Sequence, residues 1–349
     1  MRRLSWLILF TCSAVAGAKE SAPVNAVAEF RAATGVALQA DLKSALPHLA
    51  RIRAEDLSGE KLTTFLCMRD RFVGHKPVKD DDAIDPWTAK VLAAYRGYWT
   101  RVMLGSTSAA EAEPVLASTL AKLLGESTGS PAMDALEPIL QRKFEAHGYH
   151  ALFGVTAPLR EFMLWHKQTD ETYDIQLPDG REAVHVTMMD DFVSYGWLGY
   201  ATCDYYHSAG WAKPDRLFAV RSAYDLDSEE FRVSYLAHEG QHFADYRRFP
   251  ALAQPELEYR AKLVEIATAK TTLYDLLAGF TANGGDSREA PHPWADRQVV
   301  TRLAAKVLGG KPPSAEAWKA VPIEQLNAAA HELLEQDNRD REAEIGATR

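Results

Sequence analysis

The sequence predicts an α+β fold that is mainly α: a helical N-terminal region, a small sheet in the middle, and then an antiparallel helix pair. Three observations carry this. Apolar residues recur at helical spacing through most of the first half. Between about residues 173 and 224 the pattern changes to alternation around the turn Pro178-Asp179-Gly180. From Asp227 onward it returns to helical spacing, in two segments joined by a short link.

The chain opens Met1-Arg2-Arg3, followed by an apolar run from Leu4 to about Val15 and by Ala16-Gly17-Ala18 before Lys19. A basic start, a short apolar stretch and an A-x-A site are the parts of a secretory signal peptide. Residues 1–18 are therefore expected to be removed, and the mature protein to be periplasmic or secreted. The run is too short to span a bilayer, and no later segment is apolar for long enough. Lipid attachment at Cys12 is disfavoured because Phe10 and Thr11 are bulky for the positions before a modified cysteine.

Cleavage leaves Cys67 and Cys203, a pair that an exported chain can join in one disulfide or keep as two buried thiols. Two cysteines cannot build a cysteine-ligated zinc site, so histidine and carboxylate are the realistic metal ligands. The net charge is −9, and more negative without Arg2 and Arg3. With no Lys/Arg run, this disfavours nucleic acid and anionic lipid as partners. A hydrophobic fraction of 47% allows a substantial core, in one large domain or two subdomains.

Segments 62–73, 87–104, 109–124, 132–147 and 157–168 have helical spacing, with Gly, Pro and Ser between them. Asp85 before Pro86 and Ser130 before Pro131 are helix-start signals. Residues 19–170 are thus expected to form a helical region. Lys79-Asp80-Asp81-Asp82 reads as a solvated loop. The alternating stretches 173–177 and 181–188 predict a hairpin, and 217–224 another strand. The aromatic and glycine-rich stretch from Tyr195 to Trp211 is expected to serve the core before any pocket. His185 and His207 are expected to be satisfied polar residues.

His238-Glu239-Gly240-Gln241-His242 is the most informative segment. It reads H-E-x-x-H. On a helix this spacing turns both imidazoles to one face, where they can hold a Zn²⁺ ion, with Glu239 beside it as a candidate general base. Asp227 followed by Glu230 has the form of a capping box, with Ser228 a second possible cap. Phe231, Tyr235, His238 and His242 share one face, and Pro250 should stop the helix, giving a span of about 228–248. A second helix should start with Pro255 in its first turn. It carries Glu258 and Glu265, seven apart and so on one face. Folding this hairpin about Leu252 sets the histidine midpoint opposite residue 264, which favours Glu265 as the third ligand.

These residues resemble the zincin metallopeptidases whose third ligand is a glutamate, the group containing thermolysin and, with similar active-site helices, the CAAX-type proteases. The resemblance covers about residues 215–270. In the CAAX-type enzymes the ligand glutamate opens an E-x-x-A-D pattern. Here Glu258-Tyr259-Arg260-Ala261-Lys262 matches the Glu and the Ala, which points to Glu258, and departs at Lys262, where the family has an aspartate supporting a zinc-bound histidine. Both glutamates stay candidates, as ligand or as supporting acid. The resemblance implies a zincin-like core over 171–290 followed by a helical region over 291–349. It further implies a sheet whose edge strand pairs with an extended peptide substrate.

Such an enzyme also needs a donor for the developing oxyanion. His292, expected in a loop, is the first candidate, with Arg297, Tyr224 and Tyr259 as alternatives. The resulting expectation is an exported zinc peptidase with Glu239 as base. The alternative is a non-catalytic metal-binding or scaffold protein of the same fold.

Overall fold

A computed structural model describes residues 25–125, 131–213, 216–310 and 313–348 of the chain. The expected signal peptide, Cys12 and the Ser130 start signal lie outside these residues.

The N-terminal region is helical, as its spacing predicts. It comprises α1 (Ala26–Ala37), α2 (Leu42–Arg51), α3 (Gly59–Met68), α4 (Pro86–Met103), α5 (Ala109–Leu124) and α6 (Met133–Ala146). Helix α3 runs on through a π turn to Val73. Asp85 caps α4, its side chain accepting from the Trp87 and Thr88 amides ahead of Pro86. Ser108 and Glu111 form a reciprocal capping box on α5. Asp80, in the acidic stretch expected to be a solvated loop, pairs with Arg96 at 2.6 Å.

A five-stranded sheet follows: β1 (His150–Thr156), β2 (Leu159–Leu177), β3 (Gly180–Tyr195), then helix α7 (Gly196–Thr202), β4 (Gly210–Lys213) and β5 (Arg216–Val220). The strand order is β1-β2-β3-β5-β4, with β3 and β5 parallel and the other neighbours antiparallel. Segment 157–168, expected to be helical, is instead the start of β2. Phe162-Met163-Leu164-Trp165 does not alternate because both faces are covered. Phe162 and Leu164 pack into the helical core, while Met163 and Trp165 join Met189 and Val220 on the opposite face. A continuous apolar run of this kind has no period that separates helix from buried strand. The boundary expected at 170 therefore falls inside β2. The strand expected over 217–224 ends at Val220 in a short 3₁₀ turn.

Beyond the sheet, Phe231–Ala237 forms π-helical turns that lead into α8 (His238–Arg248). Ser228, not Asp227, caps this segment, its Oγ accepting from the Phe231 amide. Then come α9 (Gln254–Thr268), α10 (Leu273–Asn283), α11 (Pro291–Val307), α12 (Ala315–Lys319) and α13 (Ile323–Thr348). Two main cores result. One joins α1–α6 to β1, the start of β2 and α7. The other joins the far end of the β2–β3 hairpin and β5 to the helices from α8 onward. Cys67 and Cys203 are disulfide-bonded, which ties α3 to the residue after α7 within the first core. No helix among the described residues is long and apolar enough to cross a membrane.

Helix α8 is held from two sides. Gly240 faces the sheet, where a Cβ would sit 3.0 Å from Ile175 Cδ1. On another side, the fully buried Arg260 of α9 donates to Asp245 of α8 at 2.8 and 2.9 Å and to Asp337 of α13 at 2.7 Å. Removing one member of a buried ion pair strands the other. Arg260→Ala should therefore destabilise the fold by about 3–5 kcal/mol, read as a lowered urea midpoint.

Candidate metal centre

The face of α8 opposite Gly240 carries His238 and His242, both buried. Each turns Nε2 toward the Glu258 carboxylate of α9, at 3.4 Å from His238 to Oε2 and 3.4 Å from His242 to Oε1. One ligand atom from each of His238, His242 and Glu258 falls within 4.8 Å of the others, close enough to share a single cation.

Glu265 completes the support rather than the ligand group. Its Oε1 lies 2.7 Å from His238 Nδ1, on the side of the ring away from Glu258. A carboxylate there fixes the proton on Nδ1 and leaves Nε2 free as a ligand. The His238 ring thus bridges two carboxylates two helical turns apart, so the pattern-based expectation of Glu258 and the hairpin-based expectation of Glu265 each find a place. Lys262, where the resemblance had led to an aspartate, pairs with Asp296 of α11 at 2.8 Å. Among the described residues His242 gains no equivalent of Glu265, its buried Nδ1 having no hydrogen-bond partner there.

His292 also reaches the cluster, but as the second residue of α11 and not from a loop. Its Nδ1 is 2.9 Å from Glu258 Oε2 without hydrogen-bond alignment, and its side chain is 65% exposed. Glu239 is half-buried beside the cluster. Its charge is felt by Tyr224 and Tyr246, whose hydroxyls are held above the usual tyrosine range first by burial and then in part by Glu239. Among the other donor candidates, Arg297 is engaged with Gly284 O and Asp286, and Tyr259 lies in the second core against Arg302. His185 bonds Thr172, and His207 contacts Ser208 O and stacks on Tyr195, as expected of satisfied polar residues.

The electrostatics fit a cation. Burial opposes a charged ring at His238, yet the Glu258 and Glu265 carboxylates against its two ring nitrogens raise its pKa to about 10. Glu258, despite burial, is held far below the usual carboxylate range by the imidazoles of His238, His242 and His292. Without metal, a proton on His238 therefore compensates the buried carboxylates. A metal must displace that proton, because a histidine ligand is neutral. Metal uptake near neutral pH should release about one proton, and apparent affinity should rise about tenfold per pH unit between about pH 6 and 8. Calorimetry in buffers of different ionisation enthalpy reads the proton count.

Two histidines and one glutamate form a donor set suited to a three-ligand site with a further position for water or substrate. The sequence left two features of this region unsignalled. The short edge strand β4, which packs on α8, is too brief to show alternation. The Lys262–Asp296 pair joins residues far apart in sequence. The fold and the cluster define a class: an α+β protein, mainly α, with a buried His-His-Glu group able to hold a metal ion. No family model, curated protein or solved structure matches the chain.

Proposed function

We propose that this protein is an exported zinc-dependent hydrolase of peptide bonds. One observation carries the reading: a buried two-histidine, one-glutamate group on consecutive helices, with a further half-exposed carboxylate, Glu239, beside it. A bound Zn²⁺ would be held by His238, His242 and Glu258, and would supply Lewis acidity toward water and the scissile carbonyl. Glu239 takes a proton from the attacking water and returns it to the departing amine. Glu265 keeps His238 in the tautomer that presents Nε2. His292, exposed and 2.9 Å from Glu258, donates to the developing oxyanion. Strand β4 has a free edge, because β5 is its single neighbour in the described sheet, and offers backbone groups to an extended peptide. The acidic chain argues for peptide over nucleic acid.

A second reading is favoured by the same His292. If it serves as a fourth ligand, the centre is closed and the protein is a non-catalytic metal-binding scaffold. The mature chain, loaded with zinc and incubated with a random peptide library, separates the two. Chelator-sensitive cleavage seen by mass spectrometry is the expected result. Stoichiometric zinc without cleavage supports the scaffold.

A further inference from the structure

A second cavity, of about 420 Å³, lies in the N-terminal half, apart from the metal centre, and no step of the proposed hydrolysis uses it. Arg71, Arg96, Trp99, Tyr200 and Asp204 are among its walls. Some charges around it are already matched: Arg96 pairs with Asp80 at 2.6 Å and Asp191 with Lys167 at 3.2 Å. Arg71, Asp204, Lys79 and Asp81 close no such pair among the described residues. The Arg71 guanidinium rests 4.7 Å from the Tyr200 ring centroid and donates to Tyr200 O at 2.5 Å. Among the described residues no carboxylate closes an ion pair with it, although Asp204 attracts it through space. Burial pushes the guanidinium below its usual range, and Arg96 adds repulsion. An arginine presents several donors in a fixed fork suited to a carboxylate, and most of this fork has no partner here.

The opposing charge, Asp204, follows directly on the end of α7. Cys203 and Asp204 are consecutive non-glycine residues in the left-handed region, at φ 53° and 62°. Cys203 is the left-handed cap that ends α7, its amide donating to Gly199 O. Cys67 is one helical turn before Arg71, and Cys203 immediately precedes Asp204, so the Cys67–Cys203 disulfide joins the segments that carry the base and the acid.

We propose that this cavity binds a zwitterion with an aromatic side chain, a free amino acid or dipeptide, its carboxylate on Arg71 and its ammonium on Asp204. Phe192, Tyr195 and Tyr200, all half-buried, supply an aromatic wall for the side chain. The volume falls in the range of small-molecule sites. Because the cavity shares no residue with the metal cluster, binding is independent of metal and of the hydrolytic reading.

The test is calorimetric titration of the oxidised, chelator-treated mature chain. L-Phenylalanine and L-phenylalanyl-glycine are the probes, and the length that binds tighter distinguishes amino acid from dipeptide. N-acetylphenylalanine lacks the ammonium and phenylalaninamide lacks the carboxylate. Each should bind about tenfold or more weaker than phenylalanine, the loss expected for a charged hydrogen bond. Arg71→Gln should lose phenylalanine by a similar factor while leaving phenylalaninamide unchanged. Asp204→Asn should do the converse with N-acetylphenylalanine, and asparagine tolerates the left-handed backbone, so this variant should keep the fold. If neither zwitterion binds at millimolar concentration, or if both charge-deleted analogues bind as well as their parent, the proposal is overturned. Should Arg71→Gln fail to fold, the Asp204→Asn pair of titrations decides alone.

Discussion

Glu258→Gln should weaken zinc binding far more than Glu265→Gln, although both carboxylates are buried and both touch His238. The geometry assigns them different work. Glu258 faces the Nε2 atoms of both histidines at 3.4 Å, the position of a direct ligand. Its loss removes a bond to the cation and the charge that compensates it. Glu265 meets His238 at Nδ1, 2.7 Å away on the far side of the ring. Its loss leaves the ligand atoms in place and lowers only the basicity and orientation of one imidazole, a change worth about 10–100-fold in affinity. Competition with a chromophoric chelator measures both constants. Equal losses in the two variants would mean that the roles are shared or exchanged. His238→Ala and His242→Ala serve as references, since each removes a ligand outright.

How much of this was legible in the sequence depends on which residues are considered. The H-E-x-x-H helix was readable because its signals are local: spacing four, a cap at Ser228 and a stop at Pro250. The fold class was readable because α4, α5 and the β2–β3 hairpin carry clear periods and turns. The choice between Glu258 and Glu265 was not, because hairpin arithmetic treats helices as rods that meet residue against residue. A histidine has two ring nitrogens on different edges, so His238 can meet both glutamates at once. The start of β2 is not legible as a strand, because Phe162-Met163-Leu164-Trp165 is covered on both faces and lacks the alternation that marks a half-exposed strand. Nothing local in the sequence marks Arg260 as buried. Its burial depends on Asp337 and Asn338, which only the folded chain brings to it.

Glu239→Gln should retain zinc at full stoichiometry and lose about 10²–10⁴-fold in hydrolysis, the usual worth of a general base. Glu239 is absent from the group of atoms close enough to share a cation, which contains His238, His242 and Glu258. The amide is nearly isosteric with the acid, so the packing of α8 against the sheet at Gly240 and against α9 at Asp245 and Arg260 should stay intact. What disappears is the capacity to accept a proton beside the metal. The comparison with Glu258→Gln is what gives the experiment its force. Both substitutions remove one carboxylate near the same two histidines, but one should weaken binding strongly and the other only turnover. Zinc content by elemental analysis and peptide cleavage rates on the same samples report the two quantities separately. A Glu239→Gln protein that cleaves peptides at the wild-type rate would remove Glu239 from the mechanism. One that loses zinc would instead make it part of the metal's support.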